Sequence, residues 1–488
     1  MPAEADGRRR RPTDDTDRPL VAVAVLASFV AFLDGSVVNL ALPAIGREFG
    51  GGLALQQWVV DGYLLTLAAL ILVAGAISDQ FGRLKVLRAG LAVLAVSSLL
   101  CAVATTGWLL VAARCLQGVG AAFLVPSSLA MINARFTGTA QARAIGTWTA
   151  WTGTAFVVGP LLGGVLVDAL NWRWIFGVNI VPLAVTLYLT TRLSPGEFAA
   201  EDRSGRVDVV GAALNAVGLS GAVYALIEGQ RLGFSHTAVV TALAIGIACL
   251  IAFPLWERHS PHPMMPLQIF AARNFAVGNL ATVFLYAGVS LGMLVVGLFL
   301  QETAGLSATA AGLASLPVPV LSFFLARRFG TLAGVHGPRL FMATGPLIAA
   351  VGYLLMARVA EPFDFWTQML PGLVVFGIGL SITVSPLTAA ILAAVDPEQS
   401  GIGSAVNNAV SRIAGLIAVA FAGVIIGSTV DFAGFRQGML VTAGLFALAG
   451  VISAVGIRNE QCDLDRISPE STARCHDRAT PPPAYARR

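Results

Sequence analysis

The chain has 488 residues, 56% of them hydrophobic and 12% charged, with a mean hydropathy of +0.77 and a formal net charge of +4. Water-soluble domains carry about 25% charged residues, so the deficit excludes a mostly water-exposed surface and assigns the chain to the membrane class. Lys85 is the sole lysine and follows Leu84, so the chain has no Gly-Lys-Ser/Thr phosphate loop and cannot bind ATP through a Walker A loop of its own.

A helix that crosses about 30 Å of hydrocarbon at about 1.5 Å per residue needs about 20 mostly apolar residues. Residues 1–19 are polar and rich in Arg, Asp and Pro, the composition of a disordered tail. The first apolar run, 20–45, is too long for a signal-peptide core and no small-residue cleavage site follows it, so it is expected to be a span. Further runs at 58–77, 86–104, 109–133, 144–167 and 175–193 complete a first set of six. A short linker, 194–207, leads to two more runs at 208–228 and 237–256. The last six are 275–300, 309–326, 339–358, 366–394, 401–428 and 435–457, followed by a polar tail, 459–488. The run 309–326 is the least regular, because it contains Pro317 and Pro319. The expected fold class is an all-α membrane protein with fourteen spans. The expected divisions are a tail (1–19), a six-helix unit (20–193), a linker with an extra pair (194–262), a second six-helix unit (263–458) and a tail (459–488).

Basic residues set the orientation. With both termini in the cytoplasm and alternating spans, 24 of the 31 basic residues fall inside, five fall outside, and Arg114 and Arg412 lie within spans. Removing one span would scramble the alternation downstream. The inside loop 395–400 carries no basic residue and departs from the rule.

In chain order, Asp34 is the first candidate for chemistry. It lies within Leu33-Asp-Gly-Ser-Val-Val-Asn39-Leu-Ala-Leu-Pro43. A carboxylate at membrane depth is costly, and its neutral form is favoured unless a cation is near, which suits a proton site. Asp61, three residues into the second run, reads as interfacial or cavity-facing. Gly75, Asp79, Gly82, Arg83 and Lys85 form a loop motif after the second run. Gly75 would let two helices approach closely, Asp79 would cap or pair across the gap, and Arg83 and Lys85 would hold the loop inside. The expected role is a conformational latch. Arg114 and Gln117 stand in Arg114-Cys-Leu-Gln-Gly-Val-Gly120. Counting helical rise puts Asp34 roughly 9 Å and Arg114 about 8 Å from the outer face, so the two are expected to interact directly or through water. Gly159, Pro160, Gly163 and Gly164 would bend and closely pack the fifth run at a gate. Glu228 ends the seventh run. Asn407, Asn408 and Arg412 make the thirteenth run unusually polar, and Asn39 and Gln117 are further candidate cavity groups.

An internal repeat is visible. Gly75 is followed seven residues later by Gly82 and then Arg83; Gly330 is followed seven residues later by Gly337 and then Pro338-Arg339. Gly334 stands where the first copy has Asp79. Each copy follows the second span of a six-span set, as two related halves would leave behind. Cys101, Cys115, Cys249, Cys462 and Cys475 form no C-x-x-C, and the five histidines lie in predicted loops and the tail, so neither a disulfide framework nor a metal site is expected. The tenth run has no Asp or Glu, which favours neutral, anionic or monovalent cationic substrates over divalent cations.

The loop from Gly75 to Lys85 resembles the signature of the major facilitator superfamily. The stretches around Asp34, Arg114 and Gly159 to Gly164, together with Trp172-Arg-Trp-Ile-Phe176, resemble the fourteen-span drug:proton antiporter family within it. Ala155 stands where the fifth-span pattern favours Gly. The resemblance implies two pseudo-symmetric six-helix bundles plus two additional central helices, a cavity open alternately to each side, and proton influx driving drug, antibiotic or metabolite efflux. It implies no cofactor beyond the proton gradient, a small-molecule substrate, protons and lipid as partners, no nucleic acid, a monomer, and a plasma-membrane location. A carrier of the same fold for amino acids, osmolytes or lipid precursors is the alternative. A membrane enzyme or receptor is disfavoured, since no H-E-x-x-H or G-x-S-x-G pattern occurs.

Overall fold

A computed structural model describes residues 17–193, 198, 207–261, 263–396, 399–427 and 430–459, apart from the side chains of Asp79, Ala142 and Ser400. The expected tails and most of the linker 194–207 lie outside the described residues. What is described is all helical. We call the end at which the first helix begins basal and the opposite end distal.

α1 (Asp17–Val37) climbs to the distal end and passes through a tight turn, Val38–Leu40, into the short α2 (Leu42–Phe49). α3 (Gly52–Phe81) descends, α4 (Arg83–Ala102) climbs, α5 (Gly107–Arg135) descends and α6 (Gly138–Ala169) climbs. The expected sixth run is two short pieces, α7 (Trp174–Gly177) and α8 (Ile180–Thr190). α9 (Val209–Leu232) and α10 (Thr237–Glu257) follow as a hairpin. The rest comprises α11 (Arg273–Leu298), α12 (Ala308–Ser315), α13 (Pro317–His336), α14 (Pro338–Met356), α15 (Leu370–Ala393), α16 (Ser400–Ile426) and α17 (Phe432–Gly456).

Thirteen of these helical stretches are long and apolar enough to cross a membrane, and Trp174–Thr190 is a shorter apolar one. Of the fourteen expected runs, the sixth is thus the one realised as a shorter helical stretch. Val178 and Asn179, between the two pieces, keep right-handed helical dihedrals, so the run is interrupted only locally. The irregular run 309–326 is realised as a longer stretch, Ala308–His336, with its two prolines at the start of α13. Proline is tolerated in a first turn, where the missing N–H has no partner to lose.

Helix starts carry their own caps. Thr106, Asp208, Ser307 and Asp431 each accept from the backbone N–H three residues on, which satisfies donors that lipid cannot. Gly82 and Gly337, the matched glycines of the repeat, share a positive φ, 93° and 82°, and each immediately precedes a basal helix start. Only glycine adopts that backbone without strain.

Lipid removes the hydrophobic drive between helices, so close packing through small residues replaces it. A Cβ at Gly120 would strike the backbone of Gly90 and Leu94, which fixes the α4–α5 crossing. Gly221 and Gly246 do the same for α9 and α10. α9 also packs on α3 and α16, whereas α10 exposes Ile245, Ile247, Ile251 and Leu255. Gly75 corrects an expectation. A Cβ there would meet no atom within 4 Å, so no helix packs closely against it in this state.

Candidate functional site

The most buried polar cluster lies between α1, α5 and the break before α8. Asp34 and Arg114 are 0% and 1% exposed. Arg114 Nη1 donates to Asp34 Oδ2 at 2.5 Å. The other carboxylate oxygen, Oδ1, accepts from Asn179 Nδ2 at 2.8 Å and Gln117 Nε2 at 3.2 Å. The structure therefore brings Asp34, Arg114 and Gln117 together and adds Asn179, which the sequence reading missed. A polar residue inside an apolar run, flanked by Gly177 and Pro182, was the available signal.

Arg114 is held in turn. Its Nε donates to Val59 O at 3.0 Å, and Nη1 donates to Gln117 Oε1 at 2.8 Å. Its guanidinium carbon lies 4.5 Å from the Tyr63 ring centroid and 5.8 Å from that of Phe176. Gln117 also donates to Ser98 Oγ at 2.8 Å. Two buried opposite charges need such hydrogen bonds to offset their desolvation, although Asn179 Oδ1 is left without a partner. Beside this cluster a Cβ at Gly35 would meet no atom within 4 Å, so the neighbouring turn of α1 borders open space.

Asp61 corrects the interfacial reading. It is 0% exposed, and neither carboxylate oxygen has a hydrogen-bond partner. Its helical register, one turn from Gln57 and Leu65, directs it toward α9 and α16 instead of the bilayer surface.

The halves before and after the α9–α10 hairpin touch at the distal end. Asp168, at the end of α6, accepts from the first backbone N–H groups of α12, Ala308 and Thr309, at 3.1 and 2.7 Å. Gln56 donates to Glu302 at 2.7 Å, and Gln57 to Val419 O and Ala420 O at 2.7 and 3.0 Å. Gly159 and Gly163 lie on Ser36 and Val37 of α1 within the first half, and Gly164 lies on the Ala308–Thr309 backbone, so the glycine motif packs α6 on α1 on one side and on the second half on the other. The hairpin joins the same closure. Trp58 donates to Glu228 Oε1 at 2.9 Å, and Arg231 pairs with Glu228 at 2.7 Å. Among the described residues, every hydrogen bond between 17–193 and the later chain lies at this end. Outside the spans, Glu48 accepts from Trp172 Nε1 at 2.6 Å and from both Arg173 nitrogens at 2.9 and 2.6 Å. The Arg173 guanidinium holds the Glu48 carboxyl below its ordinary range against a smaller opposing effect of burial.

The remaining candidates are dispersed. At the basal loop, Arg83 Nη1 donates to Ala130 O at 3.3 Å; the Asp79 side chain lies outside the described residues. Lys85 is exposed, and Asn39 is half-buried in the turn Val38–Leu40. Asn407 donates to Asn279 and Thr282 at 3.1 and 3.0 Å. Asn408 and Arg412 are half-buried on the same helix, and Arg412 lies 5.6 Å from the Phe32 ring. Among the described residues no cluster could hold a metal ion.

Comparison with known proteins agrees with this architecture. Residues 24–418 match the family model of the Major Facilitator Superfamily. The methylenomycin A resistance protein of Bacillus subtilis (strain 168) is 31% identical over 452 residues, covering 91% of this chain and 96% of that protein. The multidrug resistance protein Stp of Mycobacterium tuberculosis (strain CDC 1551 / Oshkosh) is 33% identical over 402 residues, covering 82% and 74%. Among solved structures, peptide transporter POT in complex with sulfate superposes with a TM-score of 0.68 at 14% identity, covering 89% of this chain and 93% of that one. The D-xylose-proton symporter gives 0.64 at 14% identity, covering 91% and 98%. At that identity the likeness establishes the fold alone.

Proposed function

The chain belongs to the major facilitator superfamily, as a membrane transporter and not an enzyme, and we propose that it is a proton-coupled antiporter that exports a small amphipathic drug, antibiotic or metabolite. Its relatives' names, methylenomycin A resistance and multidrug resistance, support efflux. We read it as two six-helix units, 20–193 and 263–458, with α9 and α10 as an added pair and the basal end, which carries the Arg-rich loops, in the cytoplasm. On this reading it acts as a monomer and uses no cofactor besides the proton gradient.

The observation that carries the proposal is the buried carboxylate of Asp34, ligated by Arg114, Gln117 and Asn179 beside open space at Gly35. A proton on Asp34 removes the charge that these three donors serve, so protonation frees Arg114 from its partner. The distal end, held closed by the contacts of Asp168, Gln56 and Gln57, fits a cytoplasm-open state that has released its proton inward. In the opposite state the distal contacts of Asp168, Gln56 and Gln57 must part, which admits a proton from outside and lets substrate leave. Binding energy and proton affinity are thus linked through one site, as alternating exchange requires. Vesicles with an imposed pH gradient and a panel including methylenomycin A and puromycin test this. Gradient-driven movement by the native chain and its loss in Asp34→Asn are expected. Unchanged proton coupling in Asp34→Asn overturns the proposal.

A further inference from the structure

Among the described residues Arg412 pairs with no carboxylate, not even the buried Asp61 of α3. It lies 12 residues into α16, about 18 Å along a helix of 27 residues, and so near mid-membrane. Among the described residues it has neither an ion pair nor a hydrogen bond, although guanidinium is the richest donor among side chains. The second half cannot supply a partner. α11, α12, α13, α14, α15, α16 and α17 contain no Asp or Glu. In the first half, the nearby carboxylate of Asp34 is already engaged by Arg114.

The surroundings of Arg412 are aromatic. Its guanidinium carbon is 5.6 Å from the Phe32 ring centroid, Phe32 packs on Phe156 at 5.7 Å, and α16 packs against α11, which carries Tyr286. A ring at that distance offers a cation only a weak attraction and leaves its N–H donors unmade. Phe32 and Gly35 share one face of α1, and the space beside Gly35 is open. A guanidinium on one half thus rests against an aromatic ring of the other, one turn along α1 from the open space at Gly35.

We infer that Arg412 is the anion-recognising group of the substrate site, and that the preferred cargo is an amphipathic compound bearing a carboxylate or an equally acidic oxygen. The inference rests on the exporter reading and sharpens it by naming a substrate class. Arg binds a carboxylate through two parallel charge-assisted hydrogen bonds, a geometry that neither an ester nor an ammonium reproduces. Phe32 and Tyr286 would cover the apolar body of the cargo. A lipophilic cation would meet the charge of Arg412 with no carboxylate from the second half to offset it.

Three probes sharing one fluorophore test the inference: dansylglycine, its methyl ester, and a dansyl amide ending in trimethylammonium. Equilibrium binding to the purified full chain is read from dansyl fluorescence with no pH gradient. Dansylglycine is expected to bind on the order of tenfold or more tighter than its ester, the factor that hydrogen bonds to a charged group supply. Arg412→Gln should abolish that preference while leaving ester affinity within about twofold, and Arg412→Lys should retain part of it. Equal binding of acid and ester, tighter binding of the ammonium probe, absence of dansylglycine binding, or a preference that survives Arg412→Gln overturns the inference. Gradient-driven flux of the same probes separates the two readings. Flux without a carboxylate preference sinks the inference and leaves antiport standing. A carboxylate preference with no gradient-driven flux does the reverse.

Discussion

Asp34→Asn is the most informative single substitution. The change is nearly isosteric but turns one of the two acceptor oxygens into a donor. Asp34 Oδ1 accepts from Asn179 at 2.8 Å and Gln117 at 3.2 Å, and Oδ2 accepts from Arg114 at 2.5 Å. An amide has one acceptor oxygen and one donor nitrogen, so whichever way it turns, a donor faces a donor. If the oxygen stays with Gln117 and Asn179, the buried guanidinium loses its counter-charge. Breaking a fully buried pair from one side costs about 3–5 kcal/mol, because the remaining charge stays in low dielectric. The exposed pair between Arg173 and Glu48, with side chains 28% and 38% exposed, should couple by no more than about 1 kcal/mol after solvent screening. The assay is a double-mutant cycle of Asp34→Asn and Arg114→Gln, read by thermal unfolding in detergent, with Glu48→Gln and Arg173→Gln as the reference cycle. A coupling several-fold larger for the buried pair is expected, with substrate exchange at equal pH retained and gradient-driven accumulation lost in Asp34→Asn. Coupling no larger than that of the exposed pair would refute the reasoning.

Three further predictions follow from named contacts. Asn179→Ala removes a neutral donor to a charged acceptor and should destabilise by about 1.5–3 kcal/mol, with proton-coupled flux reduced more than substrate binding; a melting temperature and flux equal to the native chain's would contradict the role given to the break before α8. Asp168→Asn weakens the cap on α12 by about 1 kcal/mol, so distal closure should loosen roughly fivefold, measured as faster thiol labelling of a cysteine placed at Thr309. Glu48 titrates below its ordinary range because Arg173 stabilises its charged form. A depressed folded-state pKa contributes stability above the unfolded value of about 4.3 and loses it as pH falls through the folded value. The gap in melting temperature between the native chain and Glu48→Gln should therefore stay constant from neutral pH to about pH 5 and shrink only below that. A gap that closes near neutrality would show that the Arg173 contact is not what sets it.

Hydropathy alone carried the membrane class and nearly every span, because lipid forces backbone hydrogen bonds inside each helix and leaves long apolar runs as the trace. Counting rise per residue also placed Asp34 and Arg114 at one depth, and the structure sets them in contact. The glycine repeat was equally legible, since Gly82 and Gly337 share a backbone state closed to other residues. What counting cannot supply is the direction in which a side chain points around its axis. Asp61 read as interfacial from its depth, yet its rotation buries both oxygens without a donor. Asn179 became visible only when the packing of α8 against α1 set its amide on Asp34. Gly75 was expected at a close crossing, but a Cβ there would meet no atom within 4 Å. Depth along a helix is a local property, additive in residue number and readable from the chain. Azimuth, partner and open or closed state arise from many helices packing at once, so the tertiary structure alone decided them.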